Sequence, residues 1–588
     1  MISILPSPFN EVWLVDFEFV ATPGNQQIPV CLVAYELRSE RLIRIWHDEL
    51  KKMKCPPYSI GRDALFVAYY ASAEFGCHLS LGWRLPYHVL DLFTEFRSLT
   101  NGCRLQCGNG LLGALAWYGL GSIEAAEKDS MRDLILRGGP WNNEEKKSIL
   151  DYCESDVLSL KKLLKAMDPH LDLSRALLRG EYMKAAAWME YRGIPIDAKK
   201  LDQLKEHWEQ IQLRLVQDID SQYNIFENCT FKEKRFTYFL NARKIPWPKL
   251  DSGKLDLKDE TFKEMALTYP ELEPLRQLRI TLSQLRLSKL TIGNDGRNRC
   301  LLSAFRSRTG RNQPSNSKFI FGPSVWLRSL IKPDPGYGLA YIDWSQQEFA
   351  IAAVLSGDPK MIEAYESGDP YMAFGIQAGA VPPDATKESH GPEREQFKAC
   401  VLAVQYGMGE KSLARKINQP ISQARNLLLR HRETYRKFWL WSDSAVDHAM
   451  LHGNLWTTFG WAIHIDTNPN PRFLRNFPMQ ANGSEMLRIA CCKAIQRGVR
   501  ICAPVHDAIL IEAPINELVD SIETAKKSMA EASEAVLNGY RLRTDVYKVT
   551  YPDRYMDERG EKMWGKLQQI LSSILNNGNS SSQSTISK

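Results

Sequence analysis

Two short apolar runs in this chain end on an aspartate, which sets them apart from ordinary surface strands. Glu11-Val12-Trp13-Leu14-Val15 leads into Asp16, and Tyr337-Gly338-Leu339-Ala340-Tyr341-Ile342 leads into Asp343. Apolar runs of this length read as strands buried within a sheet. A carboxylate carried into such a setting is costly unless hydrogen bonds or a cation compensate it. Glu18 sharpens the point, because residues two apart on a strand project from one face and so stand beside each other. A divalent cation with oxygen ligands relieves that pair.

The chain of 588 residues exceeds the ~250–300 at which one hydrophobic core stops growing, so several domains are expected. Hydrophobic residues at 44% and charged residues at 24% exclude a mostly disordered chain. The net charge of +6 permits a polyanionic partner without demanding one. No run approaches ~20 apolar residues, which predicts no membrane span, and the start Met1-Ile2-Ser3-Ile4-Leu5-Pro6 lacks a signal-peptide pattern. The 12 cysteines show no zinc-ligand spacing, which predicts free thiols in a reducing cytoplasm. Asn576 to Lys588 is rich in Ser, Asn and Gly and is expected to be a disordered tail.

Organisation follows the texture of the sequence. Residues 1–172 read as mixed α/β, with strands near 11–16, 27–36, 42–46 and 65–69 and a helix over 72–81. Asn142-Asn143-Glu144-Glu145 opens a strong helix running through Leu164. Residues 173–300 are helical and charge-laced, with Leu201, Leu204, Trp208, Ile211 and Leu215 on one face of an expected helix. After Leu301 come the strand ending at Asp343, a helix-rich stretch from Phe349 to about Leu451, a helix from Ser484 to Arg497 and a hairpin with His506-Asp507 at its turn.

Tyr152 and Asp156, four apart in the strong helix, share a face. With Asp16 and Glu18 they resemble the 3′–5′ exonuclease domains of the DEDD superfamily, where an Asp-x-Glu strand and a Tyr-x-x-x-Asp helix share two metal ions. The resemblance implies a middle acid, matched by Glu74 where the family has Asp, with Asp91 as the rival. It also implies that Tyr152 orients the attacking water, and that two metals clamp that water and the leaving 3′ oxygen.

The second half resembles the family A DNA polymerases, the DNA polymerase I type, through motifs in the family's order. These are Tyr341-Ile342-Asp343-Trp344-Ser345-Gln346-Gln347-Glu348, then Arg394, Lys398, Tyr406 and Gly407, then Arg472, Asn476 and Gln480, and finally Val505-His506-Asp507. Thr309-Gly310-Arg311 resembles its primer-template segment, and the likeness spans roughly Gly193 to Tyr551. It implies that Asp343 and Asp507 hold two metals, and that Arg394, Lys398, Tyr406, Gln346, Leu402 and Tyr371 contact the nucleotide. Glu348 would exclude a 2′ hydroxyl, and Arg311, Arg472, Asn476, Gln480 and His506 would contact DNA. Three places depart from the pattern: Ala508 replaces a third acid, Leu402 an aromatic residue and Tyr371 a histidine.

The expected fold is therefore an α/β and α+β multidomain chain. An RNase H-like exonuclease domain (1–172) precedes a right-hand polymerase domain (173–588), with thumb 173–300, palm 301–348 and 470–575, and fingers 349–469. The short stretch before Asp16 leaves no room for a 5′-nuclease domain, as in compact phage-like members. The expected function is DNA-directed DNA synthesis with proofreading, using two Mg2+ per active site with Mn2+ as a substitute. Expected partners are primer-template DNA, deoxynucleoside triphosphates and replication accessory proteins, with the chain monomeric, soluble and away from membranes. Two rivals compete: a DNA-binding protein with a decayed polymerase site, and a 3′–5′ exonuclease acting alone.

Overall fold

The computed structural model describes residues 9–121, 125–250, 252–284, 289–322, 324–465 and 470–583. It divides into two compact units. The first comprises Met1–Gly193, Leu301–Gln313 and Tyr337–Lys548; the second comprises Ile194–Cys300, Pro314–Gly336 and Val549–Lys588.

Two sheets organise the first unit. One holds β1 (Glu11–Val20), β2 (Ile28–Glu36), β3 (Leu42–Trp46), β4 (Ala64–Ala68) and β5 (His88–Asp91) in the order β3-β2-β1-β4-β5. β1 runs antiparallel to β2 and parallel to β4, so it is central and its apolar residues are buried on both faces. Trp13, Val15 and Phe17 enter one core, while Val12 and Leu14 enter the other. That alternation carries Asp16 and Glu18 onto the Leu14 face, where helix α4 (Asn143–Met167) packs with Ile149, Cys153, Val157 and Leu160. A reciprocal capping box between Asn142 and Glu145 starts α4. The first unit also uses α1 (Ser72–Ser80), α2 (Leu92–Thr100) and α3 (Ala125–Leu136).

Helix α5 (Leu173–Arg192) belongs to the first unit, although the sequence places it with the thumb. Its Gly180 lies so close to β5 that a Cβ would stand 2.0 Å from the Val89 carbonyl oxygen. Its Arg179 makes a buried two-point ion pair with Glu95, at 2.6 Å for each contact. These contacts, not local periodicity, decide where α5 docks.

The second sheet has the order β7-β8-β6-β9, built from β6 (Tyr337–Trp344), β7 (Arg500–Val505), β8 (Ala508–Pro514) and β9 (Thr544–Thr550). Around it lie α6 (Gln347–Ser356), α7 (Pro370–Gln377), α8 (Gly391–Gln405) and α9 (Pro471–Gln496). The expected helix from Ser484 in fact begins at Pro471 and runs through Pro478. Side chains brace it there, with Asn482 Nδ2 donating to the Pro478 carbonyl at 2.7 Å and Ser484 Oγ to the Gln480 carbonyl at 2.9 Å.

The second unit is helical with small hairpins. The expected helix over 201–217 is two helices, Ala198–Glu206 and Trp208–Asp220, which meet at His207. The Glu558–Gln583 helix, placed with the palm by the sequence, belongs here. Its Trp564 stacks on Trp326 at 6.3 Å, and Trp208 stacks on Trp326 at the same distance. Leu567 and Leu571 bury on the same face. From that packed start the helix propagates to Gln583 rather than ending at Asn576, where disorder is expected. Residues 584–588 of that tail lie outside the described residues. Among the described residues, no helix is long and apolar enough to cross a membrane.

Two candidate active sites

The first site forms where α4 crosses β1. Ligand atoms of Asp16, Glu18 and Asp156 lie within 4.8 Å of one another. Burial, followed by the charge of Asp156, pushes the Asp16 carboxyl up to about 7. Burial and then Asp16 hold the Glu18 carboxyl well above its ordinary range. Three mutually repelling carboxyls of this kind fit a cation with oxygen donors. Tyr152, one turn before Asp156, bonds to Asp156 through its hydroxyl, which burial and the neighbouring acids keep protonated.

Glu74 stands outside this three-acid group. Its Oε2 instead accepts the Phe17 backbone N–H at 2.8 Å, beyond the end of β4, where β1 has lost its parallel neighbour. Asp16 lies near enough to raise the Glu74 carboxyl further, after burial. Asp91 is occupied with the backbone, accepting from Ala71 N at 2.7 Å and Thr94 N at 2.9 Å. It is a cap that ties α1 to α2, so of the two rivals Glu74 faces the acidic cluster.

Lys128 of α3 joins the site without any motif to mark it in the sequence. Its Nζ donates to both oxygens of Asp156, at 2.8 and 3.1 Å, and lies 5.6 Å from the Tyr152 ring centre. No local pattern signals it, because the partner lies 28 residues away on another helix. Asp16, Lys128 and Asp156 share a cavity of about 540 Å³ with Tyr69, Tyr70 and Phe93. Cys153 adds a thiol that donates to Asp16 Oδ2 at 3.2 Å.

The second site lies where β6 and β8 meet. Register pairs Asp343 with Ala508. The hairpin turn, with His506 at φ 56°, sets Asp507 beside it, and the Asp507 carbonyl accepts from Trp344 N at 3.4 Å. The two acids, 164 residues apart in sequence, thus converge. Burial, then the charge of Asp507, pushes the Asp343 carboxyl up to about 8, and burial raises Asp507 as well. Buried Asp343 Oδ1 has no hydrogen-bond partner, nor do Gln346 Oε1, Gln347 Nε2, Gln405 Nε2 and Asn476 Oδ1. Buried polar atoms without partners are uncommon, and a cation at the acids together with a polar ligand beside them fits this set.

A cavity of about 370 Å³ opens beside these acids. Of the expected residues, Arg311, Gln346, Glu348, Tyr371, Leu402, Tyr406, His506 and Asp507 line it. Arg311 Nη2 donates to Glu348 Oε1 at 2.9 Å, and Tyr406 also bonds to Glu348. Arg394 and Lys398, farther back on α8, do not line it. Arg394 pairs with Asp369 at 2.5 Å, and the two cations approach the Tyr371 ring at 5.5 and 5.9 Å. Arg472, Asn476 and Gln480 occupy the accessible face of α9. Arg472 packs on Gly407 so tightly that a Cβ there would lie 2.9 Å from its side chain. Asp545 of β9 also stands outside every motif of the sequence: Ser345 Oγ donates to its Oδ2 at 2.6 Å, and its charge adds to the pressure on Asp343.

Residues 316–546 match the family model for DNA polymerase family A, and the match encloses Asp343, Glu348, Arg394, Lys398, Tyr406, Arg472, Asn476, Gln480 and Asp507 in order. Over that span the chain is similar to the family A DNA polymerases. A thermostable DNA polymerase I of Thermus caldophilus is 24% identical over 383 residues, covering 59% of this chain and 45% of that protein. The DNA polymerase of Mycobacterium phage D29 is 23% identical over 436 residues, covering 71% of this chain and 68% of the phage protein. The chain thus spans less than half the length of the Thermus relative. The fold matches the POL domain of Pol1 from M. smegmatis, solved in complex with DNA primer-template and dNTP. That match has a TM-score of 0.67 at 18% identity and covers 91% of this chain and 95% of that one. The acids Asp16, Glu18 and Asp156 lie outside the span of the polymerase family model.

Proposed function

We propose that the chain is a DNA-directed DNA polymerase that extends a primer on a DNA template and also removes nucleotides from 3′ ends. The observation that carries this reading is the convergence of Asp343 and Asp507 beside a polar cavity, inside a matched polymerase domain. Asp343 and Asp507 are the residues that hold divalent cations, two Mg2+ with Mn2+ as a substitute. Bound there, such ions lower the charge on the triphosphate and activate the primer 3′ hydroxyl. Burial and the charge of Asp507 hold the Asp343 carboxyl up and burial raises Asp507, so a cation held by the pair would favour their charged forms.

The remaining residues bind and orient. Arg394 and Lys398 neutralise the triphosphate, and Arg394 exchanges Asp369 for phosphate oxygens as it does so. Tyr406 offers a ring near the templating base, and Gln346, Leu402 and Tyr371 shape the pocket wall. Glu348, fixed between Arg311 and Tyr406, occupies the space that a 2′ hydroxyl needs. Arg311, Arg472, Asn476, Gln480 and His506 contact the primer-template without reading sequence. Asp545 supplies a carboxylate near Asp343 in a chain whose motif has Ala508 in place of the third acid.

For the exonuclease, in an RNase H-like domain over 1–172, Asp16, Glu18 and Asp156 hold the cations, Glu74 supports them, and Tyr152 orients the water. Primer extension tests the polymerase assignment. The chain extends a primed template with Mg2+ and all four dNTPs, and Asp507→Asn stops extension while DNA binding persists. Undiminished extension by Asp507→Asn overturns the assignment.

A further inference from the structure

One loop of the first unit reaches both cavities. Leu301, Ser303, Ala304 and Arg306 line the cavity that holds Asp16 and Asp156. A few residues on, Arg311 lines the polymerase cavity and pairs with Glu348. The loop is strained, because Ser303 at φ 50° and Phe305 at φ 57° both lie in the left-handed region without being glycine. Residues held in such conformations persist only where their surroundings over-determine them.

The anchors come from both sides. From the half that carries Asp343 and Asp507, Arg488 Nη1 donates to the Gly310 carbonyl at 2.7 Å, and Trp461 Nε1 donates to the Arg308 carbonyl at 3.0 Å. From the end that carries the acidic cluster, Arg97 Nη2 donates to the Arg306 carbonyl at 2.9 Å. Asn101 Nδ2 donates to the Arg308 carbonyl at 2.7 Å. Both anchors are buried, and Arg97 is itself braced by Asn109 Oδ1 at 3.1 Å. The loop closes on itself when Arg311 N donates to Ser307 Oγ at 2.8 Å. The direction in which Arg311 leaves the loop is therefore set by carbonyls that Arg97 and Asn101 hold.

We propose that Arg97 and Asn101, on and just beyond α2, are positioning residues for Arg311, and through it for Glu348 in the polymerase cavity. This rests on the polymerase reading of that cavity. Nucleotide binding and sugar selection in one half of the first unit then depend on two side chains of the half that carries the exonuclease acids. Removing either anchor lets the strained loop relax, loosens the Arg311–Glu348 pair and frees Glu348 from the position that excludes a 2′ hydroxyl.

The test uses the full chain carrying Asp16→Asn, so that primers are not shortened, with Arg97→Gln and Asn101→Ala added separately. Steady-state extension is measured with dATP and with ATP, alongside primer-template affinity and melting temperature. We expect kcat/KM for dATP to fall by roughly five- to tenfold, mostly through KM, with a comparable narrowing of the dATP-over-ATP preference. Arg97→Lys, which keeps a donor, should regain much of both. The proposal is overturned if kcat/KM and the sugar preference stay within about twofold of the parent. It is also overturned if activity falls entirely in kcat and equally for both sugars, which is the mark of a merely structural role. Should Arg97→Gln fail to fold, Asn101→Ser decides on the same readout. A parent that does not extend primers strikes the polymerase reading; an active parent with unaltered variants strikes this proposal alone.

Discussion

Asp343→Asn separates what the acidic pair does for stability from what it does for chemistry. In the metal-free chain, burial and Asp507 hold the Asp343 carboxyl up to about 8, against 3.8 for a free aspartate. A carboxyl with a raised value stabilises the fold while protonated. That contribution is complete below the unfolded value and is lost as pH climbs through the folded one. At ~1.4 kcal/mol per pH unit, the gap sets a ceiling of about 6 kcal/mol at alkaline pH. Asp507 shares the same repulsion and the cavity admits solvent, so ~2–3 kcal/mol is the working figure. Asparagine has the same shape, stays neutral and can donate to Asp507. In EDTA at pH 8.5, Asp343→Asn should therefore melt higher than the parent, by about 2–5 °C for a unit of this size. The parent's melting temperature should fall between pH 5 and 9, and the variant's should fall much less. Differential scanning fluorimetry across that range, in EDTA and then in Mg2+, reads both. The same variant should lose primer extension by at least about a thousandfold, as expected when a group central to transition-state charge is removed. A variant that melts lower at pH 8.5 and keeps the parent's pH slope would refute the repulsion between the two acids.

Other expectations follow from single contacts. Lys128→Met removes the ammonium from Asp156 while keeping the stem, and should cost ~1–3 kcal/mol in EDTA. Thermal melts should show that deficit shrinking in saturating Mg2+, and an unchanged deficit would mean that lysine and cation do not compete. Glu74→Gln keeps an acceptor for Phe17 N but no charge, so 3′-end degradation should drop about tenfold or more with little change in melting. Asp91→Ala should instead destabilise by ~1–3 kcal/mol through lost caps, and the reverse pattern would reinstate Asp91 as the ligand. Glu348→Ala should raise ribonucleotide incorporation by roughly ten- to a hundredfold in single-nucleotide extension, and an unmoved preference would remove Glu348 from sugar selection.

Whatever local geometry controls is legible in the sequence. Asp16 and Glu18 share a face because strands alternate, and Tyr152 and Asp156 share one because helices turn every 3.6 residues. Asp343 stands out as an acid closing a buried strand and Asp507 as an acid at a hairpin turn, with register completing their meeting. What stays hidden depends on distant partners. Lys128 is an unremarkable surface lysine until α3 is laid against α4. The Glu558–Gln583 helix reads as the end of the palm and a loose tail, because only the Trp208–Trp326–Trp564 stack shows where it packs. The helical texture of α5 draws it into the thumb, whereas the buried Arg179–Glu95 pair fixes it to the first unit. The helix expected from Ser484 begins instead at Pro471, and α9 passes through Pro478 braced by Asn482 and Ser484.

The proposed function rests on two separate sets of buried acids each gathering divalent metal, and counting bound cations tests that proposal most directly. Mn2+ binding to the full chain, followed by electron paramagnetic resonance, should show uptake at both sets. Asp16→Asn should abolish one class of sites and leave the other, and Asp343→Asn should do the converse. A chain that takes up no Mn2+, or one whose uptake survives both substitutions together, would contradict it.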